Sequence, residues 1–109
     1  MTNSHSKEGR LDKLTQLVNN KNATDTQKEK AINEIINMAQ ISEKETVTEI
    51  LLAAKGFYEP VVTILDDNVN VVVNVRILTE RQIAQIADIA ERKTKYRADK
   101  IRISTVYEK

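Results

Sequence analysis

The stretch GFYEPVVTILDDNVNVVVNV, residues 56–75, reads as two β-strands joined by a tight turn, and the rest of the chain is arranged around it. Pro60 supplies no N–H, so the first strand starts there or lies at a sheet edge. Val61 to Leu65 is apolar and β-branched, the composition of a strand. Asp66, Asp67 and Asn68 tolerate positive φ and hydrogen-bond their own backbone, which is turn chemistry. Val69 to Val75 then alternates: Val69, Val71, Val73 and Val75 face one side, and Asn70, Val72 and Asn74 face the other. A period of two with one wall of valine marks a strand buried on one face only.

Upstream the pattern is helical. Between Lys7 and Asn19, Leu11, Leu14, Leu17 and Val18 form a narrow stripe at helical spacing, with Gly9 weakening the first turn. Asn19 to Asn22 reads as a break. Thr24 followed by Gln27 is a capping box and predicts a helix from Asp25 to Gln40, with Ile32, Ile35, Ile36 and Ala39 as its apolar face. Ser42 followed by Glu45 repeats that pattern. It predicts that one helix stops near Ile41 and another begins, with Val47, Ile50, Leu51 and Ala54 as the second apolar face. Gly56 stands where a left-handed residue closes that helix.

Downstream, Thr79 and Gln82 form a third capping box. Ile83, Ile86, Ala87 and Ala90 make the apolar face of a helix running to about Lys93, supported by the acid-first pairs Asp88–Arg92 and Glu91–Lys95. Lys100 to Tyr107 alternates again, with Ile101, Ile103 and Thr105 inward and Arg102 and Ser104 outward. The expected fold is α+β: a two-layer sandwich of N-terminal helices followed by α-β-β-α-β with a three-stranded sheet, a KH-like topology. The last strand runs parallel if it lies beside the second and antiparallel if it lies beside the first; the sequence leaves both open. Met1 to Ser6 reads as a disordered tail or an expression remnant, residues 7–22 as a helical extension, and residues 23–109 as the α+β domain.

Composition bounds the function. With 109 residues the chain makes one domain with a modest core. Net charge is +1, so no global field steers it to nucleic acid or an anionic membrane. There is no cysteine, which removes disulfides, thiolate zinc sites and thiol catalysis. No apolar run approaches the ~20 residues that span a bilayer, and the polar start has no signal-peptide core. His5, the one histidine, has no flanking carboxylates and is read as a bystander. Asp66 and Asp67 are adjacent and point apart, so they are turn residues rather than a catalytic pair. Asn22-Ala23-Thr24 matches a glycosylation acceptor weakly, and Thr24 already caps a helix. No cofactor, metal or small-molecule substrate is expected, and the chain is not expected to be an enzyme.

Arg92, Lys93, Lys95, Arg97, Lys100 and Arg102 form a basic run. Its bland reading is a solvated surface whose cations suit a helix C-terminus. A KH-like nucleic-acid binder is the rival reading, but its clamp needs a Gly-x-x-Gly loop, and the only glycines are Gly9 and Gly56. The aromatics Tyr96 and Tyr107 are candidate interface anchors, because such side chains dominate binding hot spots.

The stretch QISEKETVTEILLAAKGFYEPVVTILDDNVNVVVNV is similar to the stage III sporulation protein AH family of endospore-forming bacteria. The features that carry the likeness are paired helices broken at Ser42-Glu43, a helix ending in Lys55-Gly56-Phe57, and an acidic turn leading into an alternating strand. The likeness extends from about Lys7 to Val106 and rests on structural rather than catalytic motifs. It implies a non-enzymatic scaffold of a sporulation channel complex, resembling the ring-building domains of secretion basal bodies. Family members carry an N-terminal membrane anchor and linker, neither visible here, and their domain lies between the mother-cell and forespore membranes. The implied partners are the stage II sporulation protein Q ectodomain, other stage III sporulation A proteins and further copies in a homo-oligomeric ring, with no nucleic acid. In ring-building packing the helical face of one copy meets the sheet of the next, so Asn70, Asn74, Arg102 and Ser104 are candidate contacts. The strand from Ile101 to Tyr107 is the candidate edge for strand addition.

Overall fold

The computed structural model describes residues 3–107, with side chains from Glu8 onward. Met1 and Thr2 of the expected tail and the His5 side chain fall outside the described residues, whereas the backbone of Asn3 to Ser6 lies in α1. The elements in order are α1 (Asn3–Asn19), α2 (Asp25–Ala54), β1 (Val61–Leu65), β2 (Asn68–Val73), α3 (Glu80–Thr94), one 3-10 turn (Ala98–Lys100) and β3 (Ile101–Thr105). They group into two compact units, residues 1–40 and 41–109, and the division falls inside α2 rather than in the loop before it.

The first unit is helical. Asn20 Oδ1 accepts from the Asn22 N–H, which shapes the loop after α1. Both bonds of the Thr24–Gln27 capping box are present, at 2.9 and 3.1 Å, and satisfy N–H groups that the first turn of α2 leaves without partners. Arg10 pairs with Glu34 across this unit. Ala31 is its one fully buried apolar residue among those described, and Leu11, Ile32 and Ile36 remain exposed.

The second unit is the sandwich. The sheet order is β1-β2-β3, with β2 central. β1 and β2 are antiparallel and close over Asp66 and Asp67, pairing Leu65 with Asn68. Asp66 takes a φ of 53°, the left-handed value its short polar side chain tolerates. β3 runs parallel to β2, with Val69 opposite Ile101 and Val73 opposite Thr105, so the strand order left open by the sequence resolves to the crossover through α3. The valine wall is as expected from Val69 to Val73, while Val75 lies beyond the end of β2 and is half-buried. Val69, Val71 and Val73 are fully buried with Val62 and Ile64, and Leu52, Phe57, Ile86, Ile89 and Ala90 pack on them.

Local signals place the helices against this wall. Thr79 and Gln82 form the complete capping box of α3. Gly56, at φ 99°, closes α2: its N–H bonds the Ala53 carbonyl and the Phe57 N–H bonds the Leu52 carbonyl, while Phe57 and Leu52 enter the same core. This is the Schellman arrangement, in which the chain reverses and plants an apolar residue in the same step.

Four expectations are corrected. The break at Ser42 does not occur, because α2 is one helix of 30 residues. No glycine or proline lies between Asp25 and Ala54 to interrupt it. The Glu45 carboxylate that would have completed the capping box accepts from the Ile64 N–H instead, at 2.7 Å. The apolar face expected for the last part of α2 is also rotated. Glu45, Thr48 and Leu52 are buried, whereas Ile50 is 62% exposed. In α3 the buried face is Ile86, Ile89, Ala90 and Thr94, so Ile83 lies outside it. Of the two acid-first pairs, Asp88–Arg92 forms at 2.9 Å. Lys95 leaves the helix at φ 67°, and no Glu91–Lys95 ion pair occurs among the described residues.

Two substitutions test this packing. Val73→Asp places an unpaired charge among valines and is expected to destabilise the chain by about 3 kcal/mol or more. Gly56→Ala forces a side chain into the left-handed region and is expected to cost about 1 kcal/mol. Urea denaturation measures both; a Val73→Asp midpoint equal to that of the parent would refute the register.

Candidate protein interface

A three-stranded sheet has two edges, and each presents backbone groups that the ladder leaves unbonded. In β1, Val61, Thr63 and Leu65 are the residues that bond β2, so the N–H groups of Val62 and Ile64 point to the other side. The latter two donate to the Glu49 carboxylate at 2.8 Å and the Glu45 carboxylate at 2.7 Å. Glu45 and Glu49 lie one turn apart on α2, matching the two-residue step between outward N–H groups of a strand. Their placement closes the β1 edge with side chains.

The β3 edge differs. The Val106 N–H donates to the Val73 carbonyl at 3.0 Å, so by alternation the even-numbered residues of β3 face β2. The N–H and C=O groups of Ile103 and Thr105 then face outward. Among the described residues no side chain or backbone group bonds the N–H of either.

The sheet face opposite the core is built from cross-strand rows. Thr63, Asn70 and Arg102 form one, and Val61, Val72 and Ser104 the next. Asn70 and Val72 are half-buried; Val61, Arg102 and Ser104 are exposed. The structure thus brings Asn70, Arg102 and Ser104 together. Asn74 follows β2 at the same end of the sheet as Tyr107. The Tyr107 ring is exposed and lies 4.9 Å from the Arg76 guanidinium carbon, a cation–π distance. Tyr96 lies at the opposite end. It packs against the core and its hydroxyl donates to the Asp66 carbonyl at 3.3 Å, tying the approach to β3 to the hairpin turn.

Glu45 and Glu49 are the edge-closing residues that the sequence reading missed. The signal was the i, i+3, i+4, i+7 spacing of Glu45, Thr48, Glu49 and Leu52, a buried face that polar residues disguise. Thr48 hides there by donating to the Lys44 carbonyl at 2.6 Å. The basic run is interleaved with acids: Arg97 grips Asp99 with both nitrogens, and that hydrogen bond holds the Asp99 carboxyl below its ordinary range. No cluster of three His, Asp or Glu able to hold a metal occurs among the described residues. No described helix is long and apolar enough to cross a membrane.

A family model described as SpoIIIAH-like protein matches residues 1–103. No curated protein matches the chain. A chain of the solved structure of the SpoIIQ-SpoIIIAH pore forming complex superposes with a TM-score of 0.84, at 16% identity, over 96% of this chain and 90% of that one. At that identity the likeness concerns the fold.

Removing the edge closure has a measurable effect. Glu45→Ala is expected to destabilise the chain by about 1–3 kcal/mol, since it leaves the Ile64 N–H without its acceptor. Amide exchange at Ile64 should accelerate selectively in Glu45→Ala, and at Val62 in Glu49→Ala. Unchanged exchange at both positions would refute the closure.

Proposed function

The chain belongs to the SpoIIIAH-like protein family, and on that premise we propose that it is an interaction domain binding the ectodomain of a stage II sporulation protein Q. The observation that carries this reading is the asymmetry of the sheet edges. β1 is closed by Glu45 and Glu49, whereas Ile103 and Thr105 offer outward donors and acceptors. An extended segment of the partner adds to β3, taking affinity from main-chain hydrogen bonds and specificity from the neighbouring side chains. Arg102 and Ser104 flank that edge on the open face, and Tyr107 follows it as an exposed aromatic anchor. The fold supports the reading, since a chain of the SpoIIQ-SpoIIIAH pore forming complex shares it.

The wider proposal is a scaffold in the space between mother-cell and forespore membranes. There it serves a channel complex with other stage III sporulation A proteins and further copies of itself. The ring contact is heterologous: one copy's helical face, with the exposed Val47, Ile50 and Ile83, meets the next copy's open sheet face, with Val61, Asn70, Asn74 and Arg102. Apolar residues exposed on both surfaces support that pairing. The role is structural.

Thr105→Pro separates the edge from the rest of the fold. It deletes an outward N–H while leaving the β2–β3 ladder its donors. The parent chain should co-elute with the Q ectodomain in size exclusion at about 50 µM, and Thr105→Pro should weaken binding by about tenfold or more with thermal stability nearly unchanged. Separate elution of the parent chain overturns the partner assignment. Equal binding of the variant overturns the edge.

A further inference from the structure

At the turn end of the sheet, a pocket of about 310 Å³ is lined by Lys44, Asp67, Thr94, Lys95, Tyr96, Arg97 and Lys100. Four of its side chains are cations and one is an anion. The Lys44, Lys95 and Lys100 ammonium groups form no ion pair among the described residues, whereas Arg97 is engaged by Asp99. The walls are held in place. Thr94 is buried, donates to the Ala90 carbonyl at 2.7 Å and accepts from the Tyr96 N–H at 3.2 Å. Tyr96 is fixed by its bond to Asp66. Lys95 is turned out of α3 by its left-handed backbone. Lys44 and Lys95 stand without an ion pair among the described residues and Lys100 adds a third cation, beside Asp99, so positive charge outweighs the one lining carboxylate, Asp67.

We propose that this pocket is a second docking site, distinct from the β3 edge, which takes an acidic protein segment bearing two or more carboxylates. Three features select that ligand class. The pocket is shallow and open, so a small molecule would bury too little of its surface, whereas an extended segment lies across it and anchors side chains in it. Its free cations are lysines, flexible point charges that meet carboxylates without demanding one geometry. The one guanidinium, the group whose fork grips phosphate in two places, already holds Asp99. The same points set aside a nucleic-acid backbone, for which the chain has neither the overall charge nor a free arginine at this site.

Backbone amide spectra of the full chain test the site with a glutamate hexapeptide as probe. At about 20 mM salt the peptide should shift the amides of Lys44, Asp67 and Thr94 to Lys100, and binding should weaken strongly by about 200 mM salt. The double variant Lys95→Asn/Lys100→Gln keeps a residue that tolerates the left-handed position and removes two charges. It should weaken the peptide by about tenfold, while Lys28→Gln in the first unit leaves binding as it was. Equal loss in both variants, or shifts scattered over the surface, would mean non-specific attraction and overturns the proposal. Inorganic phosphate that saturates the same amides and displaces the peptide overturns it in favour of a small-oxyanion site. Thr105→Pro should bind the hexapeptide like the parent chain, so failure at the β3 edge and failure here are read apart.

Discussion

Two backbone N–H groups on the outer side of β1, those of Val62 and Ile64, find their acceptors in a helix rather than in another strand. This constraint orients the second unit. Glu45 and Glu49 fix which side of α2 turns inward, and Leu52 follows one turn later into the core. The Gly56 reversal then delivers Phe57 to the same place. A buried carboxylate is expensive unless its oxygens are bonded, and a buried N–H is expensive unless it is accepted. Each group removes the other's penalty, so helix and strand hold one another in a single register.

The same bonds divide the sheet into unlike halves. On the β1 side the outward N–H groups are accepted and Glu45 is only 8% exposed. On the β3 side the backbone faces outward. Natural sheets blunt edges to prevent unplanned pairing, and here the N–H groups of one edge are blunted while those of the other are not. The open sheet face carries polar Asn70, Arg102 and Ser104 among Val61 and Val72, the mixture of a surface that meets a partner reversibly.

Much of this architecture is legible in the sequence because its signals are local. The alternation of Val69 to Val75, the two formed capping boxes and the Gly56 stop each depend on neighbours in the chain. The Ser42–Glu45 box fails for the opposite reason: a long-range donor, Ile64, competes for the Glu45 carboxylate and wins inside an uninterrupted helix. The inward face of α2 is misread because periodicity arguments count apolar residues. Here Glu45 and Thr48 occupy the buried stripe while Ile50 stays in solvent. The edge asymmetry is invisible for the same reason, since it exists only once a strand has been brought beside a helix. Tyr96, chosen for its aromatic ring, turns out to brace the hairpin turn.

The parallel placement of β3 also governs how the chain reaches this state. β1 and β2 meet across a two-residue turn, whereas Val69 meets Ile101 only after all of α3 has been made and folded back. Local contacts close early and distant ones late, because loop closure must come before its reward. During synthesis β2 therefore waits with one flank paired and the other bare. A foreign strand arriving in that interval would compete for the seat of β3 itself.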